Sequence, residues 1–394
     1  MASIRARYAA LFALPGVRRF ALLSLPMRMP IGTVGLATLL HVRELTGSIA
    51  FAGSVVGAQF IAMAVTAPLF GRIVDRRGPR AVLAGTGLLC PLALAVMLFA
   101  GPLGLSRGAM LGVALVVGAV SPPVTVLIRT LWRMRVPDDA LRQSAFALDA
   151  VILEIAYTIG PALIALVVAT GSASGALALA LAFTAVAVPL LVLSGALDWW
   201  TPSAPGERRL FGPLTDVRLL MLFGASFTLT MAFGALEVGY PGFGRAAGAD
   251  AWGPALIAVS SIGSATGGLL YGGLHLRRSR ARQLPVIMAI FALPLLAHLP
   301  ISDPWLLVPV AFAAGALIAP AMTVVSLLVS DIAPPRYATE AFMWSGTAIV
   351  TGLGAGMSIA GVLVERYGAN GAFAWAAASA AIASLLALSL RSRI

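Results

Sequence analysis

The sequence predicts an all-α integral membrane protein with both termini cytoplasmic, its twelve transmembrane helices forming two pseudo-symmetric six-helix bundles. Three observations carry that expectation: an apolar composition, twelve runs of spanning length, and a lopsided placement of arginine. Hydrophobic residues make up 60% of the 394 and charged residues 11%, with a mean hydropathy of +0.96. Soluble chains carry about 25% charged residues. A soluble fold this apolar would leave large hydrophobic surface in water, which is unfavourable. A bilayer removes the problem by being the solvent.

A spanning helix needs about 20 mostly apolar residues. Twelve such runs occur, at 20–42, 49–73, 81–100, 108–131, 145–169 and 175–197, then at 219–240, 252–276, 284–299, 305–329, 341–364 and 371–390. The ninth is the shortest. Barrel-type alternation is absent, and unpaired backbone in lipid is too costly for anything but helices or closed barrels. The polar, proline-containing stretch 198–218 divides the chain into an N-terminal bundle, 1–197, and a C-terminal bundle, 219–394.

All 27 basic residues are arginine. With both termini placed in the cytoplasm, 22 fall in the termini and cytoplasmic connections. Only Arg43, Arg107, Arg245 and Arg366 fall outside, and Arg28 lies within a span. This is the positive-inside pattern. The net charge of +12 is therefore an insertion signal and not a nucleic-acid footprint. The Ala, Gly, Leu and Arg bias points to a GC-rich bacterial source, and so to the bacterial inner membrane. No cleavable signal peptide is expected. Cys90 stands alone as a small packing residue, and His41, His275 and His298 lack metal-ligand spacing.

The halves repeat each other. Gly118 and Pro123 in the fourth span recur as Gly315 and Pro320 in the tenth, both offset by 197. Pro137 maps to Pro334 at the same offset, and Ala145-Phe146 to Ala341-Phe342 at 196. Ala156 and Gly160 then fall on Gly352 and Gly356. A shared offset in matching spans favours duplication over chance, and parallel repeats of this kind occur in secondary transporters.

The connection between the second and third spans reads Gly71-Arg-Ile-Val-Asp75-Arg76-Arg-Gly78-Pro-Arg80. Gly71 permits close approach, and Gly78 a tight turn. Asp75 is an anion among cations. The loop resembles the signature loop of the major facilitator superfamily at every defined position and at the expected place in the chain. The chain as a whole looks like bacterial, notably actinobacterial, drug or metabolite efflux members of that family. The resemblance implies that Asp75 meets the N-terminal end of the eleventh helix, latching the halves together, and that the first, fourth, seventh and tenth helices line a central cavity. Arg72 and Arg77 are expected to be merely solvated. The equivalent second-half loop, from Gly273 to Arg282, lacks the Asp and the second Gly, so any latch should be asymmetric.

Ile159-Gly160-Pro161 resembles a fragment of the fifth-helix motif of drug-exporting antiporters, though Ile164-Ala165 stands where that motif has a Gly-Gly pair. A small-residue packing face with a proline kink explains it equally well. The Arg-rich motif of the fourth helix in such antiporters is not recognisable, and that span carries no charge until Arg129, a departure from the standard drug–proton antiport pattern.

Charges inside spans are functional candidates, since each costs about 2.5–3.5 kcal/mol at a helix centre. Arg28, between Pro26 and Pro30, is the first candidate for anchoring substrate. Glu154 lies at similar predicted depth and is the first candidate for carrying a proton, paired with Arg28. Burial favours the protonated carboxyl and an adjacent arginine the ionised one, so loading a proton would switch the strength of the pair; the alternative is a static ion pair fixing the first span against the fifth. Asp149 is expected to pair with Arg129 or Arg76, and Glu237 to sit near the outer mouth. Met27, Met29, Phe233 and Tyr240 are candidate cavity residues for apolar substrates.

No dinucleotide, phosphate-loop or zinc motif occurs, so no cofactor or ATP is expected. Sparse His and Cys argue against a membrane enzyme, and the lack of a soluble domain against a receptor. The expected function is proton-coupled export of small amphipathic molecules by a monomer in the lipid bilayer. The alternative is uptake of a small polar or anionic solute held by Arg28.

Overall fold

The computed structural model describes residues 4–201, 212–249, 251–274 and 279–391. The middle of the predicted linker, and the second-half loop positions that include Arg277 and Arg278, lie outside them. Fourteen α-helices are described: α1 (Ile4–Ala13), α2 (Val17–Thr46), α3 (Ile49–Arg77), α4 (Pro79–Leu98), α5 (Arg107–Ala119), α6 (Val124–Arg135), α7 (Asp139–Thr170), α8 (Ala173–Leu193), α9 (Val217–Ala246), α10 (Trp252–Gly273), α11 (Arg280–Ala297), α12 (Pro304–Ile332), α13 (Ala338–Tyr367) and α14 (Ala369–Arg391). Twelve spans result, with α5 and α6 together forming the fourth. The connections that follow every second span share one end with α1; this end is called the base.

Side-chain caps start several helices at turn residues. Ser48, Asp138, Ser172 and Asp303 accept from the N–H of Phe51, Leu141, Gly175 and Trp305 respectively. Each satisfies a donor the helix leaves free.

The two halves pack alike. In the first, α2 lies against α7 and α8, and α3 against α5; in the second, α9 lies against α13 and α14, and α10 against α12. Lipid offers no hydrophobic drive between helices, so contact depends on close approach of small residues. Gly118 of α5 abuts the Gln59 carbonyl of α3, and Gly315 of α12 abuts the Ser260 carbonyl of α10, closely enough that a Cβ would overlap either oxygen. Gly160 meets Gly32 of α2, while Gly352 and Gly356 meet the carbonyls of Phe227 and Met231 on α9. These three glycines are thus packing residues in corresponding helices. Large side chains such as Leu22, Ile61, Leu293 and Leu385 point outward.

The repeat is imperfect at its prolines. The tenth span runs unbroken through Pro320, but the fourth stops at Ala119 and restarts at Val124. The adjacent Pro122 and Pro123 remove two donors, and a residue before proline disfavours helix. Pro26, Pro30 and Pro161 lie within continuous helices.

Candidate substrate cavity and gate

Hydrogen bonds and ion pairs between the halves gather at the base. Asp75, at the end of α3, accepts from the N–H groups of Thr339 (3.0 Å) and Glu340 (2.9 Å) in the first turn of α13. A carboxylate there answers both the free donors and the helix dipole. Gly71 makes the approach possible, since a Cβ would lie 2.7 Å from Glu340 Cα. Gly78 has φ +82°, a left-handed conformation suited to glycine. Arg72 also crosses, its Nη2 2.8 Å from Glu340 Oε1, so it is not the solvated residue expected. Arg80 instead pairs with Asp198 of its own half at 3.3 Å, and Arg76 is exposed. Only a fold could show which arginine of the loop faces α13.

A second set of contacts joins α7 to the base ends of α10, α11 and α12. Ser144 Oγ donates to Gly272 O (2.6 Å), and Gln143 Nε2 to Tyr271 O (2.7 Å). Arg280 bridges Asp139 and Asp331, and Arg142 reaches the same two carboxylates. The base end of α10 and the loop after it therefore also bond the first half, through the carbonyls of Tyr271, Gly272 and Leu274 and through Arg280 in place of the missing Asp. Helix α1 adds a strap that sequence reading missed: Tyr8 OH donates to Leu269 O (3.1 Å) and Arg7 to Leu274 O (3.0 Å). The outermost of these inter-half links lie at mid-depth, where Ser261 Oγ donates to Glu154 Oε1 (3.3 Å) and Thr158 Oγ1 bonds Ser261 Oγ (3.1 Å).

Above the base lies a buried ionic triad. Arg28 Nη2 pairs with Asp149 Oδ1 and Arg28 Nη1 donates to Asp149 O (3.1 Å), while Arg129 Nε donates to Asp149 Oδ2 (3.3 Å). All three residues are at most 5% exposed. The partner of Arg28 is thus Asp149, not Glu154. The sequence reading began the fifth span at 145, but its helix begins at Asp139. Arg28 and Asp149 then lie eleven and ten residues beyond the first residue of their helices, and Glu154 fifteen. Five residues also turn Glu154 about 140° around α7 from Asp149. It faces Ser261 of the second half. Glu237 is exposed, nine residues from the end of α9 that lies opposite the base.

Arg28 and Arg129 border a cavity of about 210 Å³. Its walls come from α2, α3, the α5–α6 break, α7 and α13, with smaller contributions from α4 and α8, and Met27, Phe60, Met63 and Met343 are among the apolar groups. Pro30 and Pro123 line it too, whereas Pro26 does not. The seventh and tenth spans do not contribute. Of the four predicted apolar candidates only Met27 lines the cavity. Phe233 packs on Phe291 at 5.5 Å, and Tyr240 bonds His298 at 3.2 Å inside the second half.

A family model described as Major Facilitator Superfamily matches residues 20–352. No curated protein matches the chain. Among solved structures, similar folds include a bacterial homologue of the iron transporter ferroportin in an outward-facing state, with TM-score 0.77, 12% identity, and coverage of 95% of this chain and 99% of that one. The E. coli fucose:proton symporter FucP follows at TM-score 0.71, 11% identity, 96% and 99%. The human organic anion transporter MFSD10 (TETRAN) gives TM-score 0.67, 16% identity, 98% and 100%.

Proposed function

We propose that this chain, which belongs to the Major Facilitator Superfamily, exports small amphipathic molecules from a bacterial cytoplasm in exchange for protons. Family membership makes it a multi-pass membrane transporter and not an enzyme. Direction, coupling, the cytoplasmic placement of the base and function as a monomer are our reading. The arginine asymmetry supports a cytoplasmic base.

The observation that carries the reading is the pairing of a base held shut by Asp75 with a mid-depth cavity bordered by Arg28 and Arg129. Under alternating access, this is an outward-facing state. Opening inward requires Asp75 to leave α13 and Ser144 to leave Gly272. Glu154 is positioned to couple that change to protons. It sits on the first half, bonds Ser261 on the second, and keeps free of the Arg28–Asp149 pair. Protonating it removes an anionic acceptor from the seam between the halves.

The test is proton release from reconstituted protein on adding candidate substrates, comparing wild type with Glu154→Gln. Substrate-dependent release that the variant abolishes supports antiport through Glu154. A substrate that binds and crosses without moving protons overturns the coupling.

A further inference from the structure

We propose that the cavity takes molecules with a single anionic group on an apolar body, and that Arg28, Arg129 and the first turn of α6 hold that group. The inference rests on reading this cavity as the substrate site.

The charge count comes first. Arg28 and Arg129 share one carboxylate, Asp149, which leaves an excess of one positive charge in a buried triad. Buried charges are normally matched. Among the residues lining the cavity, the only charged ones are Arg28 and Arg129. Glu154 faces Ser261 instead and Glu237 lies toward the outer end of α9, so neither carboxylate lines the cavity. The balancing charge is therefore absent from the protein side of the cavity.

Unused donors point the same way. Arg28 Nε is buried without a hydrogen-bond partner, in a residue only 1% exposed. An unpaired buried donor is costly, and a ligand acceptor would relieve it. The break in the fourth span supplies more. Restarting at Val124 brings the N-terminus of a twelve-residue helix to the cavity wall, with Val124, Thr125 and Val126 lining it. The Val124 N–H goes to Pro122 O and that of Leu127 to Pro123 O. Among the described residues, no backbone acceptor meets the N–H groups of Thr125 and Val126. A helix N-terminus favours an anion through both its free donors and its dipole. Pro122 and Pro123 thus do more than kink the span, because they place a second positive pole beside the arginines. The remaining wall is mostly apolar, with Phe60, Met63, Phe70 and Met343, and suits a hydrocarbon or aromatic body, while uncharged polar side chains such as Gln59, Tyr157 and Thr347 interrupt it.

The experiment is thermal denaturation of the purified full chain with three probes on one ring system: naphthalene-2-sulfonate, 2-naphthalenemethanol and 2-naphthylmethylammonium. Binding to the folded state raises Tm. The sulfonate should raise it most, the alcohol less, and the ammonium not at all. The half-saturating sulfonate concentration should rise about tenfold or more in Arg129→Gln and stay near wild type in Arg129→Lys, as expected for loss of a charged hydrogen-bond partner. Stabilisation by the ammonium equal to that by the sulfonate overturns the proposal, as does a sulfonate response unchanged in Arg129→Gln. The wild-type probe series decides the sign of the preferred charge even if a variant fails to fold. Proton release separates this inference from the transport reading. An anion that binds without moving protons supports the site and removes the coupling. A cation transported with proton release keeps the coupling and removes the site.

Discussion

Asp75 of α3 and Gly272 of α10 each bond a helix of the opposite half near its base end, with opposite polarity. Asp75 accepts backbone donors of α13 through its side chain, whereas Gly272 accepts the Ser144 hydroxyl of α7 through its own carbonyl. The Asp75 bonds have a charged acceptor, whereas the Ser144–Gly272 bond is neutral, with the ion pairs of Arg280 and Arg142 beside it. Hydrogen bonds to charged groups contribute about 1.5–3 kcal/mol and neutral ones about 0.5–1.5.

That difference orders two variants. Asp75→Asn should weaken the closed base by about 1.5–3 kcal/mol, a shift of roughly ten- to a hundredfold in the balance of states. Ser144→Ala should shift it by about tenfold or less. Labelling of single cysteines placed at the base reads both, and equal effects would contradict the ordering.

The ionic triad separates structure from coupling. Asp149→Asn leaves two buried guanidiniums facing each other without a carboxylate, and should cost about 3–5 kcal/mol. Glu154→Gln breaks no such pair and keeps an acceptor for Ser261, and should change stability by about 1 kcal/mol or less. Thermal denaturation checks the contrast, and a large loss in Glu154→Gln would make that residue structural.

Helix packing gives a third prediction. Gly118→Ala and Gly315→Ala force a Cβ into a neighbouring carbonyl and should each cost about 1–3 kcal/mol. Gly112→Ala, which meets open space, should be neutral or slightly stabilising by the same measurement.

The α1 strap gives a fourth. Tyr8→Phe removes one neutral hydrogen bond across the halves and should open the base by a factor of about two to ten. No change in base labelling would show that α1 rides on α10 without holding it.

The spans and the place of Asp75 were legible because their signals are local: hydropathy, arginine counts and a ten-residue loop. The Arg72–Glu340 and Tyr8–Leu269 contacts were not, since their partners lie more than 260 residues away in sequence. The Arg28 partner was misassigned for a physical reason. The first turns of α7, from Asp139 to Gln143, are polar and helical, so hydropathy starts the span too late and shifts every depth in it. Pro123 was legible as the repeat partner of Pro320, but the break it makes with Pro122 was not. Its consequence, a helix N-terminus at a cavity wall, needs the third dimension.

The central claim is that the base opens and closes with Asp75 as its catch. Spin labels replacing the exposed Arg76 and Arg336, in a chain with Cys90→Ala, report the distance across the base directly. The account predicts a short distance that dominates in the Asp75 protein and a second, longer one that gains weight in Asp75→Asn. A single distance, identical in both proteins and unmoved by proton concentration or by any probe that binds, would contradict it.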